Sequence, residues 1–196
     1  MKKLITTITL SILSLNVFAT TSTEFVKTES GQVLSIVQKN KEIKSFKKEL
    51  NSTINIDNLI DFNKISKMTL GKNWRTANEE QKVAFVKEFR EFLINFYGNA
   101  MFNFKDAQIS YKSENIQDDF ATVKTVVTYK ENGQTKQAKV DYMLSKNGES
   151  WKMIDVIIEG ITLTLSYKDS FGQIINNKGM DGLITELRDK NIKNKG

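Results

Sequence analysis

The order of hydrophobic and polar positions divides the chain into a helical first part, a strand-rich middle and a helical end. Between residue 20 and about residue 70, apolar residues recur at steps of three and four, as Ile43, Phe46 and Leu50 do. Gly71 then suits the left-handed position that commonly ends a helix. This pattern predicts several short, polar-rich helices before residue 71.

A long aromatic helix is predicted next. Asn78 and Gln81 have the spacing of a capping box at its start. Residues 85–104 hold six of the chain's 12 phenylalanines. At 100° per residue, four of them fall within about 60° of one another; these are Phe85, Phe89, Phe92 and Phe96. Measured from Phe85, Tyr97 and Met101 move the edge of the apolar arc to about 160°, so the arc is wider than the roughly 100° needed to lie on one core surface. We expect the four phenylalanines of the narrow stripe to pack in the core, and Tyr97 and Met101 to lie outside that core surface.

After Lys105 the hydrophobic period changes to two, which is typical of strands. Four strands are predicted, at 107–114, 120–130, 134–146 and 150–158. Asn132-Gly133 and Asn147-Gly148 are strong signals for two-residue hairpins, since both central residues of a type I′ turn have positive φ. The third strand is apolar on one face and polar on the other, which predicts a sheet covered on one side only. Its apolar face carries Ala138, Val140, Tyr142 and Leu144.

The last part of the chain returns to helical spacing. Glu159-Gly160 is predicted to end the fourth strand, and Gly179 to end a helix that a final short helix follows. The fold class is therefore α+β: a curved, four-stranded antiparallel meander covered on one face by N- and C-terminal helices. Three apolar surfaces must be shielded from water in one common interior: the aromatic helix, the apolar sheet face and the segment after Gly160. Either a packed core or an internal apolar cavity satisfies that need, although Phe, Tyr and Met suit cavity walls.

The N-terminus has the pattern of a secretory signal peptide. Lys2 and Lys3 precede a short apolar run, and Val17 and Ala19 stand at −3 and −1 of a cut after residue 19. A transmembrane anchor is the alternative, but the run is short for a membrane span. We therefore expect an exported protein with a signal peptide at 1–19 and one domain at 20–196.

The amino-acid composition excludes several classes of functional site. The chain has no cysteine and no histidine, which excludes disulfides, the usual zinc sites and every histidine-based triad. No P-loop, G-x-S-x-G or EF-hand motif occurs. Two carboxylates could still catalyse a reaction, but no spacing singles out such a pair. The net charge of +6 would fit nucleic acid, yet an exported protein rarely meets any. We expect no enzyme, no metal and no cofactor, and a basic face suited to anionic membranes or an acidic partner.

Two blocks of sequence carry a family resemblance. Residues 70–101, "LGKNWRTANEEQKVAFVKEFREFLINFYGNAM", resemble the MlaC family, also called the toluene-tolerance auxiliary proteins of ABC transporters. The matching positions are Leu70, Gly71, Trp74, Arg75, Gln81, Phe85, Phe89 and Tyr97. In the second block, 151–187, they are Trp151, Asp155, Glu159, Gly160, Tyr167, Phe171 and Gly179. Thr162 and Lys168 stand where the family usually has Ser and Arg, and Lys lacks the bidentate fork of Arg.

The resemblance implies a periplasmic phospholipid shuttle. Such a protein carries lipid between the MCE-domain subunit of an inner-membrane ABC transporter and an outer-membrane lipoprotein–porin complex, and so maintains outer-membrane lipid asymmetry. It implies acyl chains held between helices and sheet, a head group left in water, and lipid as cargo rather than cofactor. We expect a monomer.

The predicted site follows from the widened helix edge, the apolar sheet face and the segment after Gly160. The predicted lipid-contacting residues are Tyr97, Met101, Val140, Tyr142, Ile154, Val156, Ile158, Ile161, Leu163, Tyr167 and Phe171. Weaker candidates for docking an acidic partner are Lys168, Lys190, Lys193 and Lys195. Arg75 is placed before a helix start, where it could pair with a carboxylate such as Asp155.

Other functions fit the same pattern. The main alternative is a periplasmic carrier of another apolar small molecule, such as a hydrocarbon or a sterol-like compound. A small-substrate hydrolase or isomerase in a cone-shaped cavity would need a buried Asp, Glu or Tyr at the cavity floor. A structural protein would have a solid core instead of a cavity.

Overall fold

The computed structural model describes residues 20–102 and 104–194. The predicted signal peptide and Lys195 lie outside these residues. The first helices are α1 (Ser22–Lys39), α2 (Ile43–Thr53), α3 (Ile56–Leu59), α4 (Phe62–Leu70), α5 (Lys72–Thr76) and α6 (Glu79–Phe102). The strands are β1 (Gln108–Gln117), β2 (Phe120–Glu131), β3 (Gln134–Asn147), β4 (Ser150–Ile158) and β5 (Ile161–Thr162), and α7 (Leu163–Lys193) follows them. Over the part of the chain described here, no helix has both the length and the apolar composition needed to cross a membrane.

The sheet is an antiparallel meander in the order β1-β2-β3-β4-β5. The predicted α+β class is confirmed, but the sheet has five strands where four were predicted. Glu159 and Gly160 both have positive φ, at 50° and 83°, so they form a two-residue turn that reverses the chain. Lys139 N–H of β3 donates to Glu159 Oε1 over 2.6 Å, which ties this turn to the sheet. The signal taken for the end of the sheet is therefore a hairpin to one more short strand.

The two predicted hairpin turns differ. Asn132 and Gly133 have φ values of 52° and 77°, as the predicted type I′ turn requires. At the other hairpin Asn147 pairs with Ser150, so the central residues are Gly148 and Glu149. Only Gly148 has positive φ, at 61°, which is the pattern of a type II′ turn. The second turn was thus predicted one residue too early.

The helix boundaries follow their predicted signals. Gln81 N–H donates to Asn78 Oδ1 over 2.8 Å, and Asn78 N–H donates to Gln81 Oε1 over 3.2 Å, so the capping box at the start of α6 is confirmed. Gly71 ends α4 with φ 53°. Gly179 has a non-helical φ of 72° inside α7 and kinks it, so the predicted final helix is the second half of α7.

Buried side chains form two separate clusters. The helical core joins the end of α1 with α2, α4, α6 and α7, and its fully buried members are Val37, Phe46, Phe85, Phe89, Leu183 and Leu187. The sheet core lies where α1 covers the sheet and contains Phe25, Val26, Ala121, Val123, Leu144 and Trp151. Trp151 Nε1 donates to the Thr20 carbonyl over 2.9 Å, which fixes the chain before α1 against β4.

Candidate functional site

The register places the apolar side chains of the sheet on the face that α1 covers, called the inner face here. Residues paired across neighbouring strands share a face. Val140 pairs with Thr125 of β2 and with Ile158 of β4, and Ile158 pairs with Ile161 of β5. One row further along, Tyr142 pairs with Val156. The predicted apolar face of β3 therefore extends across the sheet to its last strand.

The inner face is covered at one end and uncovered at the other. At the closed end, Phe25 and Val26 of α1 pack on Val123, Leu144 and Trp151, which are buried. The open end begins beyond Tyr142 and consists of Val127, Ala138, Val140, Ile158 and Ile161. Ile158 is 42% exposed and Ile161 is 65% exposed, although both are large and apolar.

The end of α6 is equally uncovered. Phe96 is 50% exposed and Met101 is 45% exposed, while Tyr97 is half-buried. The ring of Phe96 stacks on Phe92 at 5.8 Å between centroids and meets Tyr97 edge-on at 5.1 Å. The prediction that Phe96 belongs to the core is wrong. Its angle on the helix is right, but its ring is left partly in water, although Leu93 and Phe102 of the same helix pack in or against the helical core. The angle of a residue does not say whether a neighbouring element covers that stretch of the helix.

The first half of α7 adds aromatic rings to those of α6. The ring of Tyr167 meets Phe89 and Phe92 edge-on at 5.6 and 5.5 Å. Burial and a hydrogen bond with Tyr97 raise the pKa of Tyr167 well above its usual range. Phe171 packs deeper, against Phe85 and Phe89, and belongs to the helical core.

Tyr142 lies on the inner face where the closed end gives way to the open end. Burial raises the pKa of Tyr142 from 10.0 to about 12, with Tyr111 of β1 as a smaller cause. Tyr111 is itself tied to α1 by a hydrogen bond of 2.8 Å with Ser30 Oγ. The hydroxyl of Tyr142 therefore lies in an apolar setting at the edge of the covered surface.

The predicted lipid-contacting residues fall into two groups that meet where β5 leads into α7. The sheet group is Val140, Tyr142, Val156, Ile158 and Ile161, and the helical group is Tyr97, Leu163, Tyr167 and Phe171. Met101 lies alone in the last turn of α6. Ile154 lies at an irregularity between β3 and β4 and is buried. Lipid contact by these residues stays a prediction.

Asp155 holds the two groups in place. It is 2% exposed, and it accepts hydrogen bonds from Thr164 Oγ1, from Thr164 N–H and from its neighbour Val156 N–H. These bonds fix the start of α7 against β4. The pairing of Asp155 with Arg75 that we considered is wrong, because Thr164 occupies that carboxylate and Arg75 is exposed.

The three docking lysines that the structure describes, Lys168, Lys190 and Lys193, all lie on α7 but have different neighbours. The side chain of Lys168 lies against Gly71, where α4 ends. Lys190 Nζ is 5.9 Å from the centroid of the Phe92 ring, and Lys193 is exposed at the end of α7. Their role in docking stays a prediction, as does that of Lys195.

Two surface depressions complete the geometry. A cleft of about 350 Å³ follows the end of α6 and is lined by Phe102, Phe104, Lys105, Asp106 and Lys130. Sequence reasoning did not single out these residues, although Phe104-Lys105 and Tyr129-Lys130 each place an aromatic residue next to a lysine. A second depression, about 310 Å³, lies between α6 and the second half of α7 and is lined by Asn78, Glu80, Gln81, Ala84, Asp181, Ile184, Thr185 and Arg188. Across residues 20–102 and 104–194, no group of three or more acidic side chains is placed to hold a metal ion.

Comparisons with known proteins agree with this architecture. A family model described as "MlaC protein" matches residues 27–189. The toluene tolerance protein ttg2D of Pseudomonas putida is 27% identical over 173 residues, which cover 85% of this chain and 79% of that protein. The intermembrane phospholipid transport system binding protein MlaC of Haemophilus influenzae is 24% identical over 121 residues, 61% of this chain and 56% of that protein.

A solved structure shares the fold. It is that of a phospholipid-binding protein from Ralstonia solanacearum in complex with a phospholipid. It matches with a TM-score of 0.74 and 24% identity, and the match covers 88% of this chain and 97% of that one. The family model spans most of the chain and agrees with the two sequence blocks, so the chain belongs to the MlaC family.

Proposed function

We propose that this protein binds phospholipid without enzymatic activity and carries it across the periplasm. The observation that supports this most is the unclosed apolar surface formed by the open end of the inner face, the end of α6 and the start of α7. Ile158, Ile161 and Met101 are large apolar side chains left partly in water. An apolar ligand would remove that surface from water.

The physical chemistry of this surface suits acyl chains. Each CH₂ group moved from water into an apolar site contributes about 0.8 kcal/mol, so a long chain binds without polar recognition. Aromatic and methionine side chains adapt to a flexible ligand of variable length. Tyr97 contributes, after burial, to the raised pKa of Tyr167, so the two hydroxyls lie close together and the aromatic surface they share presents rings to the ligand.

The names of similar proteins support phospholipid as the cargo and transport between membranes as the role. The Haemophilus influenzae relative is named for intermembrane phospholipid transport, and the Ralstonia solanacearum structure holds a phospholipid. With export by the signal peptide at 1–19, the partners would be the MCE-domain subunit of an inner-membrane ABC transporter and an outer-membrane lipoprotein–porin complex. Maintenance of outer-membrane lipid asymmetry would follow.

Native mass spectrometry tests the proposal. Mature protein purified gently from the periplasm is expected to carry phospholipid, identified by extraction and fragmentation. A hydrocarbon or sterol-like compound in its place would support the alternative carrier function. Protein without any bound lipid, and unable to take lipid from vesicles, would contradict both functions.

A paired substitution locates the cargo. Val140→Trp fills the open end of the inner face and is expected to reduce bound lipid several-fold, because the ring occupies the space proposed for the acyl chains. Lys139→Trp places the same ring on the opposite face of β3, where Lys139 is exposed, and should leave the lipid content unchanged. Equal lipid content in the two variants would place the cargo elsewhere.

A further inference from the structure

The cleft that follows α6 lies at the open end of the molecule. Phe104 N–H donates to the Met101 carbonyl over 2.9 Å, so the cleft begins one turn after the exposed end of α6. The ring of Phe104 meets Tyr129 of β2 edge-on at 4.9 Å. Phe102 packs on Phe46 of the helical core at 5.8 Å. The walls of the cleft therefore belong to both layers, next to the apolar surface assigned to the acyl chains.

Two cationic groups line the cleft. Lys105 Nζ lies 4.0 Å from the centroid of the Phe102 ring, which holds the amine over an aromatic face. Lys130 is exposed at the end of β2. Among the ion pairs formed within residues 20–102 and 104–194, neither amine has a carboxylate within 4.0 Å. Lys105 Nζ donates a long hydrogen bond, 3.5 Å, to the Lys41 carbonyl, which leaves its charge without a carboxylate partner among the described residues. Both charges can therefore attract an anionic ligand.

One acidic side chain shares the cleft with them. Asp106 lines it together with the two lysines and two phenylalanines. A ligand that suits this set has an anionic group for the lysines, a cationic group for Asp106 and an apolar part for the rings. Ammonium groups bind phosphate oxygens through short, charge-assisted hydrogen bonds. An amine attached to the phosphate would complement the carboxylate.

We propose that this cleft binds the phosphate of a phospholipid head group, with phosphoethanolamine as the preferred class. The inference rests on the proposed function and departs from the expectation that the head group is left in water, since tails in an apolar site do not by themselves decide where the head group lies. Lys105 and Lys130 donate to the phosphate oxygens, and Asp106 accepts from the amine. Phe102 and Phe104 cover the glycerol and the first methylene groups.

Calorimetric titration of lipid-free full-length mature protein separates head group from tails. The probes are dihexanoyl phosphatidylethanolamine below its micelle concentration, its phosphatidylglycerol counterpart, uncharged decanol, and inorganic phosphate. Lys105→Gln with Lys130→Gln is expected to weaken binding of the phosphatidylethanolamine about tenfold or more, since two charge-assisted bonds are lost. Decanol affinity should not change. Asp106→Asn should remove the preference for phosphatidylethanolamine over phosphatidylglycerol.

Matched variants guard against a general loss of structure. Lys139→Gln removes a lysine from the same end of the sheet but outside the cleft, and should bind all probes as wild type does. Lys130→Gln alone changes an exposed side chain and is expected to give part of the loss. Lys105→Arg with Lys130→Arg keeps both charges and should keep most of the affinity.

Each other outcome overturns the inference in a distinguishable way. Equal weakening for phospholipid and decanol would mean that the lysines affect the tail site or the fold. Unchanged phosphatidylethanolamine affinity in the double variant would remove the head-group site and leave the proposed function standing. Inorganic phosphate bound as tightly as the phospholipid would make the cleft a free-phosphate site. Wild-type protein that binds neither phospholipid nor decanol would contradict the proposed function itself.

Discussion

The two ends of the inner face carry the same kind of sequence and have different surroundings. Val123 at the closed end is fully buried, whereas Val140 at the open end is half-buried. Both are valines on neighbouring antiparallel strands, in adjacent rows of one apolar face. The difference comes from α1, whose Phe25 and Val26 pack in the sheet core with Val123, while Val140 lies outside that core. Burial in this sheet is therefore set by the covering helix and not by the alternation within each strand.

The long helix α6 shows the same contrast along its own axis. Phe85 and Phe89 are fully buried in the helical core, while Phe96 and Met101, two to three turns later, are partly in water. Phe104, just after the helix, touches Tyr129 of the sheet, so the uncovered part of α6 adjoins the uncovered end of the inner face. The unclosed surfaces of the two layers therefore lie at one end of the molecule.

The largest expected loss of stability comes from truncating a buried phenylalanine of α6. The Phe89 ring contacts Phe85, Phe92, Tyr167 and Phe171 at centroid distances of 5.2 to 6.4 Å. Phe89→Ala should lower the free energy of unfolding by about 3–5 kcal/mol, because it leaves a cavity in a packed core. Phe96→Ala removes the same atoms from a half-exposed position and should cost less than about 1 kcal/mol. Urea unfolding followed by circular dichroism measures both, and similar losses would contradict the contrast.

A smaller loss of stability is expected when a valine is replaced by alanine, either at the closed end or at the open end of the inner face. Val123→Ala should cost about 2 kcal/mol of unfolding free energy, since two methyl groups are lost from a closed site. Val140→Ala should cost less than about 1 kcal/mol, because its surface is already partly in water. The matched pair removes differences in residue type, and both valines lie on interior strands of the same sheet. A larger cost at Val140 than at Val123 would show that the open end is closed in solution.

Much of the fold could be predicted from local patterns. The strands begin and end within a few residues of their predicted limits, because alternation and turn chemistry are local signals. The capping box of Asn78 and Gln81 is equally local. The fifth strand was missed because Glu159-Gly160 reads equally well as an end or as a turn. Only the pairing of Ile158 with Ile161 decides between these two readings.

The candidate site could be predicted only in part. The apolar faces of β3 and of α6 follow from periodicity, so Val140, Tyr142 and Tyr97 could be placed on those faces, while their contact with lipid stays a prediction. Phe96 was misplaced because no periodicity tells how far α7 and α4 accompany α6. Lys105 and Lys130 were missed because they lie 25 positions apart and meet only when β1 and β2 pair. Such convergence depends on tertiary structure, and a single sequence does not encode it in any local pattern.

The boundary between the closed and open ends of the inner face can be located through the pKa of Tyr142. Its pKa is raised from 10.0 to about 12 in the folded protein. The folded state therefore keeps its proton between pH 10 and 12, where the unfolded chain loses it. The contribution of this group to stability is complete below pH 10 and falls by about 1.4 kcal/mol per pH unit above it.

Tyr142→Phe should remove that dependence and leave the one contributed by Tyr167. The test is the free energy of urea unfolding of both proteins between pH 8 and pH 12. Their difference should be constant to pH 10 and then shrink or change sign in favour of the variant, because only wild type has a hydroxyl that ionises on unfolding. Parallel curves above pH 10 would mean that the Tyr142 hydroxyl is in water. The open end would then begin one row nearer α1 than the burial of this side chain places it.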